Sequence, residues 1–134
     1  MLRVSGLTVA FGEEPILEGI NLEVKAGDFV SLIGPSGSGK TSILRAVTGL
    51  LEAGTGEVEL DVEAEDVGFL FQDDALLPWR TARQNVALGM QIRGLPKAEA
   101  EKRADEWLSR LGLGRFGDRY PRQLSGGQRK RVAI

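Results

Sequence analysis

The sequence of 134 residues contains no cysteine and no histidine. The first absence excludes a disulfide framework and a thiolate metal site. The second removes imidazole as a general base. Tyrosine occurs once, and no apolar run approaches the ~20 residues that a membrane-spanning helix needs. An excess of one charge is also missing. Seventeen Lys and Arg stand against 19 Asp and Glu, which leaves no field for steering onto nucleic acid, and no nucleic-acid partner is expected. No signal peptide opens the chain, since Met1-Leu2-Arg3-Val4 runs straight into polar–apolar alternation. Repeats and low-complexity tracts are absent. A cytoplasmic protein is expected, with any membrane contact made indirectly, through a partner.

What is present fits one soluble domain: 42% hydrophobic and 27% charged residues are the proportions of a folded chain rather than a disordered one. Residues 2–9 and 16–25 read as strands. Ile20, Leu22 and Val24 alternate with Asn21, Glu23 and Lys25, the period of a half-buried antiparallel strand. Residues 29–33 form a short apolar run, as expected of a buried central strand. A helix from Lys40 to Leu51 follows, with Ile43, Leu44, Val47 and Leu51 on its apolar face. Residues 57–62 alternate again, and 67–71 read as another apolar strand. Beyond that the character is helical. Thr81 is placed to N-cap a helix over 82–93. Pro96 opens another, with Ala104, Trp107, Leu108 and Leu111 on one face and Gly112 as its C-cap.

The segment GPSGSGKT, residues 34–41, matches G-x-x-x-x-G-K-[ST] in full, after an apolar strand and before an amphipathic helix. Glycines at 34, 37 and 39 let the backbone wrap an anion closely, so that several N–H groups converge on phosphates. The helix beginning near Lys40 adds its positive dipole end. Lys40 is expected to neutralise the β- and γ-phosphates and the Thr41 hydroxyl to ligate Mg2+. A plain glycine-rich turn with a surface lysine is the competing reading. Motif and context together favour nucleoside triphosphate binding, which by itself does not say what the binding serves.

A second phosphate-facing element is LSGGQ, residues 124–128, where two glycines and the Ser125 hydroxyl precede a presumed helix start. Alone this is more often a simple turn. With the order GPSGSGKT, FLFQDD and LSGGQ, however, the whole chain resembles the ATP-binding cassette (ABC) family. That resemblance implies a P-loop NTPase-like α/β fold with an N-terminal antiparallel β-region and a helical insertion. It implies ATP contacts at Gly34, Pro35, Ser36, Gly37, Ser38, Gly39, Lys40, Thr41 and Ser42, the Walker A loop, and at Ser125, Gly126, Gly127 and Gln128, the signature loop. Phe11 lies where the family places an aromatic that stacks on adenine; ordinary sheet packing is the alternative for it. Gln72 matches the Q-loop glutamine, which links the Mg2+ and water site to the transmembrane partner. Lys40 and Gln72 are the expected catalytic residues, Thr41 and Gln72 the expected metal contacts, and ATP and Mg2+ the cofactors.

The apolar run before Gln72, Asp73 and Asp74 also matches a Walker B pattern, in which an aspartate holds Mg2+. Motif order favours the Q-loop, leaving both aspartates as solvated residues at a strand exit. In the family the next elements are a Walker B strand, a catalytic glutamate and a switch histidine. None follows Ile134, so the sequence reads as a partial cassette, with 1–72 and 125–134 as core and 73–124 as helical subdomain. On this reading residues 1–134 alone would be nearly inactive. The stretch of residues 71–89 is similar to importers of the nitrate, sulfonate and taurine group. The implied protein is the ATPase subunit of a small-anion importer, peripheral on the inner face of the cell membrane. Its implied partners are a second nucleotide-binding subunit, a transmembrane permease and a substrate-binding protein. The segment 73–93, with Trp79 as anchor, is the candidate permease contact; ordinary packing is the alternative for Trp79. Two alternatives stand beside this one: a soluble ABC ATPase, and a non-catalytic nucleotide-binding fragment.

Overall fold

The computed structural model describes residues 1–134 except 12, 13, 53, 64 and 65 and the side chains of Phe11 and Glu14. The chain divides into two compact units, Met1–Phe69 and Leu70–Ile134. Its elements in order are β1 (Leu2–Phe11), β2 (Glu14–Val24), α1 (Lys40–Val47), β3 (Thr55–Leu60), α2 (Ala82–Ile92), α3 (Lys97–Arg110) and α4 (Gly126–Ala133), with short 3-10 turns at Gly114–Phe116 and Pro121–Gln123.

In the first unit the three strands form an antiparallel sheet in the order β2-β1-β3. Val4 pairs with Leu22 on one side and Val58 on the other, and Leu7 pairs with Ile20. Simple alternation would put Val4 and Leu7 on opposite faces, yet Val4, Leu7 and Val9 are all buried in one core with Ala46 of α1. An irregularity between Val4 and Leu7 reconciles the two. Gly6 has φ 58 there, and its N–H donates to Asn21 Oδ1 at 2.9 Å. One extra residue shifts the phase and returns Leu7 and Val9 to the face of Val4. Across the bulge lies Gly56, with φ 93. A Cβ there would stand 2.5 Å from the carbonyl oxygen of Gly6 and 2.6 Å from Cα of Leu7.

Helix α1 packs Ala46 and Val47 on this sheet. It ends at Val47 rather than at Leu51 as the apolar spacing predicts. The Thr48 hydroxyl donates to the carbonyls of Leu44 and Arg45, and the chain closes with Leu50 N–H donating to Arg45 O. Residues 29–33 and 67–71 are not strands, contrary to the sequence expectation. A central strand is defined by ladders on both sides, and the one sheet among the described residues is completed by β1, β2 and β3 alone. Val30 and Leu32 do line an apolar cleft with Leu2, Leu22, Ile43 and Val47. Phe29 and Ile33 turn the other way and are 93% and 94% exposed. The run thus keeps strand-like alternation, with one apolar face uncovered.

The second unit is helical. Thr81 caps α2 as predicted, with a full capping box: its hydroxyl accepts from Gln84 N–H, and the Gln84 side chain accepts from Thr81 N–H. Ala87, Ala100 and Ala104 are all buried where α2 meets α3, small residues that let the two backbones approach closely. Leu108, Leu113, Leu124 and Val132 form the adjoining core with Ala82. The buried stripe of α3 is therefore Ala100, Ala104 and Leu108, at successive steps of four. Trp107, expected on that face, is 51% exposed, with the Arg110 guanidinium 5.0 Å above its ring. Arg83 of α2 pairs with Asp105 of α3 at 2.6 Å and with Asp118 in the following loop. These hydrogen bonds, Asp105 first, raise its pKa further above its ordinary value, so the guanidinium stays charged at any working pH.

The Gly6–Gly56 crossing gives a direct test. Gly56→Ala forces a Cβ into the β1 backbone at a left-handed position and should destabilise the fold by more than about 2 kcal/mol. The neighbouring exposed change Thr55→Ala should stay within about 0.5 kcal/mol. Urea unfolding of the two variants measures the difference.

Candidate functional site

The loop over residues 34–41 joins the apolar run at 29–33 to α1. Ser38 N–H donates to Pro35 O at 3.3 Å, closing the turn that carries Ser36 and Gly37. Lys40 folds back over the loop. Its ammonium donates to Gly34 O at 3.0 Å, Pro35 O at 2.6 Å and Ser38 Oγ at 3.2 Å. All three donors of the lysine are thereby spent on the loop itself. Gly39 sits at the N-cap of α1 with φ 81 and ψ 5, and a Cβ there would stand 2.7 Å from Leu17 Cδ2 of β2. Left-handed backbone and close packing on β2 both require glycine at this point.

A helix leaves its first N–H groups without intrahelical acceptors. Helix α1 has no side-chain cap and no acidic residue in its first turn. Its N-terminus is therefore uncapped and has the polarity that attracts an anion. Thr41 is exposed in this first turn and Ser42 half-buried. The Thr41 hydroxyl is a hard oxygen donor of the kind Mg2+ accepts when a nucleotide brings it. Among the described residues no group of three or more carboxylate, imidazole or thiolate side chains is placed to hold a metal by itself.

Helix α4 starts differently. Ser125 Oγ accepts from Gln128 N–H at 3.3 Å, and the Gln128 carboxamide oxygen accepts from Ser125 N–H at 2.8 Å. Gln128, expected among the nucleotide contacts, is half of a capping box that orders the loop. The helix begins at Gly126, so the two glycines lie inside it rather than before it, because the cap lies at Ser125. Ser125, Gly126 and Gly127 are exposed, and the glycine N–H groups occupy the first two helical positions.

Residues 34–42 lie together in the first unit; Gln72 and residues 125–128 lie in the second. Gln72 is exposed. The expectation for Phe11 falls on a side chain outside the described residues. Asp74 corrects the reading of both aspartates as solvated: its Oδ2 accepts from Arg129 Nε at 2.8 Å. Asp73 is exposed. Arg129 also donates to Leu124 O at 2.9 Å, and Arg131 donates to Gly127 O and Leu111 O. The two arginines brace the LSGGQ segment from behind. Asn85 braces the loop before α2: its Oδ1 accepts from Leu77 N–H, and its amide donates to the carbonyls of Leu77, Arg80 and Thr81. Sequence reasoning missed Asp74, Asn85, Arg129 and Arg131. An Asn four residues after an N-cap was the one local signal on offer.

The chain is 44% identical to the sulfate/thiosulfate import ATP-binding protein CysA of Synechocystis sp. over 98% of its length and 39% of the relative's. It is 43% identical to the sn-glycerol-3-phosphate import ATP-binding protein UgpC of Bordetella avium, over 92% of its length and 36% of that protein. Among solved structures, the dimeric bacterial ABC transporter cassette MJ0796 superposes with a TM-score of 0.87 at 37% identity, covering 100% of this chain and 67% of that one. A post-hydrolysis dimer of the same cassette, bound to ADP and Pi, gives a TM-score of 0.85. The chain thus spans well under half of the two importer proteins. The ABC transporter family pattern matches residues 17–134, and the chain belongs to the ABC transporter family.

Proposed function

We propose that this chain is the nucleotide-binding part of the ATPase subunit of an importer for small oxyanions. The observation that carries the reading is the uncapped N-terminus of α1, with Lys40 folded back over the glycine-rich loop before it. The relatives' names support the transport role, since both concern import of oxyanions, sulfate or thiosulfate and a phosphate ester. The finer assignment, to the nitrate, sulfonate and taurine group, rests on residues 71–89 alone. The complete subunit would hydrolyse ATP, pair with a second copy and drive a permease supplied by a substrate-binding protein. No helix among the described residues is long and apolar enough to cross a membrane. Attachment to the inner face would then run through the permease, with segment 73–93 and its 71% exposed Trp79 as the contact.

In this mechanism the residues of the chain position charge. Triphosphate oxygens take over the Lys40 ammonium from Gly34 O, Pro35 O and Ser38 Oγ. The N–H groups of the loop and of the first turn of α1 surround the β-phosphate. Thr41 would hold a magnesium ion that arrives with the nucleotide, and that ion would supply further charge neutralisation. Ser125 and the N–H groups of Gly126 and Gly127 would close on the nucleotide held by the second subunit, their N-terminal dipole end facing its γ-phosphate.

Two measurements test this. Lys40→Ala removes the one fixed charge of the loop and should weaken ATP binding at least about tenfold, or ~1.4 kcal/mol. Its melting temperature should hardly change, because the carbonyls it releases can take up water. Equal ATP affinity by calorimetry would remove the loop from the mechanism. For the two-subunit clamp, complete subunits carrying Lys40→Ala and Ser125→Arg are mixed. One composite site then receives both defects and the other neither, so nucleotide occupancy in mixed dimers should exceed that of either homodimer. Occupancy no higher than in the homodimers rejects the clamp.

A further inference from the structure

Nothing in phosphate binding requires the turn that follows Gln72, yet it is held from several directions. Asp74 is 18% exposed and Arg129 37%, so their ion pair is shielded more than an ordinary surface pair. The same guanidinium donates to the carbonyl of Leu124. Arg129 lies one residue past LSGGQ and Leu124 is its first residue, so this single side chain ties both ends of the signature segment to Asp74. Leu76 adds a second tie by packing against the core that contains Leu124 and Val132. Between Asp74 and Leu76 stands Ala75, with φ 49 the one non-glycine residue of left-handed backbone among those described. Such a conformation costs about 1–2 kcal/mol and persists only where its surroundings impose it.

We propose that Asp74 and Arg129 are a positioning pair that fixes the exposed Ser125–Gly126–Gly127 backbone relative to the Gln72 turn, so that displacement of the turn displaces the N-terminus of α4. This rests on the reading above, in which the Gln72 segment meets the permease and Ser125 meets the neighbouring subunit's nucleotide. Neither side chain touches nucleotide in that scheme; both act through Ser125 and the glycines. The physical basis is that the pair, the Leu124 carbonyl and the Leu76 contact join the turn and α4 into one node. Ser125 lies inside the span that Arg129 closes. The reciprocal Ser125–Gln128 cap makes that span rigid, so a pull on Arg129 is passed to the N–H groups of Gly126 and Gly127 rather than absorbed within the loop.

The test uses the complete subunit assembled with its permease. ATP turnover and thermal unfolding are measured for Asp74→Ala, Arg129→Ala, the double variant and Asp74→Glu. Each single alanine variant should lower kcat about tenfold while KM for ATP stays within about twofold. The double variant should be no slower than the worse single one, and Asp74→Glu should recover part of the loss because it restores the charge. Should Asp74→Ala fail to fold, Asp74→Asn keeps the shape and a neutral acceptor, with the same split expected. An unchanged kcat per folded subunit with only a lowered melting temperature would reduce the pair to a structural role and overturn the proposal. Additive losses in the double variant would overturn it equally. Absence of ATP turnover in the unaltered complex would instead overturn the function reading, and the pair's role with it.

Discussion

The N–H groups at the start of a helix need acceptors, and the candidate site is arranged around where that need goes unmet. Helix α1 has no capping side chain. The preceding loop could have supplied one at Gly39, where a serine or aspartate would normally serve. A left-handed backbone strains any side chain there, and a Cβ would have to displace Leu17. The packing of the loop on β2 and the uncapped start of α1 are therefore one constraint seen from two sides. Helix α4 meets the same need internally, through Ser125 and Gln128. It gains a well-ordered loop and still presents two glycine N–H groups outward.

How much of this was legible in the sequence depended on range. Thr81 with Gln84, and the glycine-rich loop before Lys40, are patterns within four to eight residues, and each appears in the structure where it was read. The Ser125–Gln128 box is just as local, a hydroxyl followed three residues later by a carboxamide. The Asp74–Arg129 pair spans 55 positions, and no periodicity joins two such residues. Positions 29–33 and 67–71 mislead for another reason. Apolar runs record a tendency toward burial, whereas a strand also needs a ladder partner. The bulge at Gly6 was hidden because period-2 reasoning assumes that no residue is inserted.

The two units are built on different physical principles. The first gains its order from a bulged sheet in which large aliphatic side chains share one face. The second adds to its aliphatic core of Leu108, Leu113, Leu124 and Val132 helix caps and small-residue contacts between α2 and α3, with Arg83 bridging to two carboxylates. Among the described residues, most of its side-chain hydrogen bonds run to backbone groups in caps and loops, as at Asn85, Ser125 and Arg129. Such bonds fix the path of a connection without adding buried apolar area, which suits segments whose task is to present backbone at a chosen place.

The folded-back Lys40 also sets what the loop will ignore. Binding there is an exchange reaction: the ligand must compensate for two carbonyls and a hydroxyl before it gains anything from the ammonium. A small monoanion with few acceptors replaces that set poorly, because it cannot face the lysine and the N–H groups around it at once. A polyphosphate offers several oxygens on adjoining phosphorus atoms and can face both. The resting lysine acts as an internal competitor, and the loop discriminates by the number and spacing of acceptors rather than by charge alone.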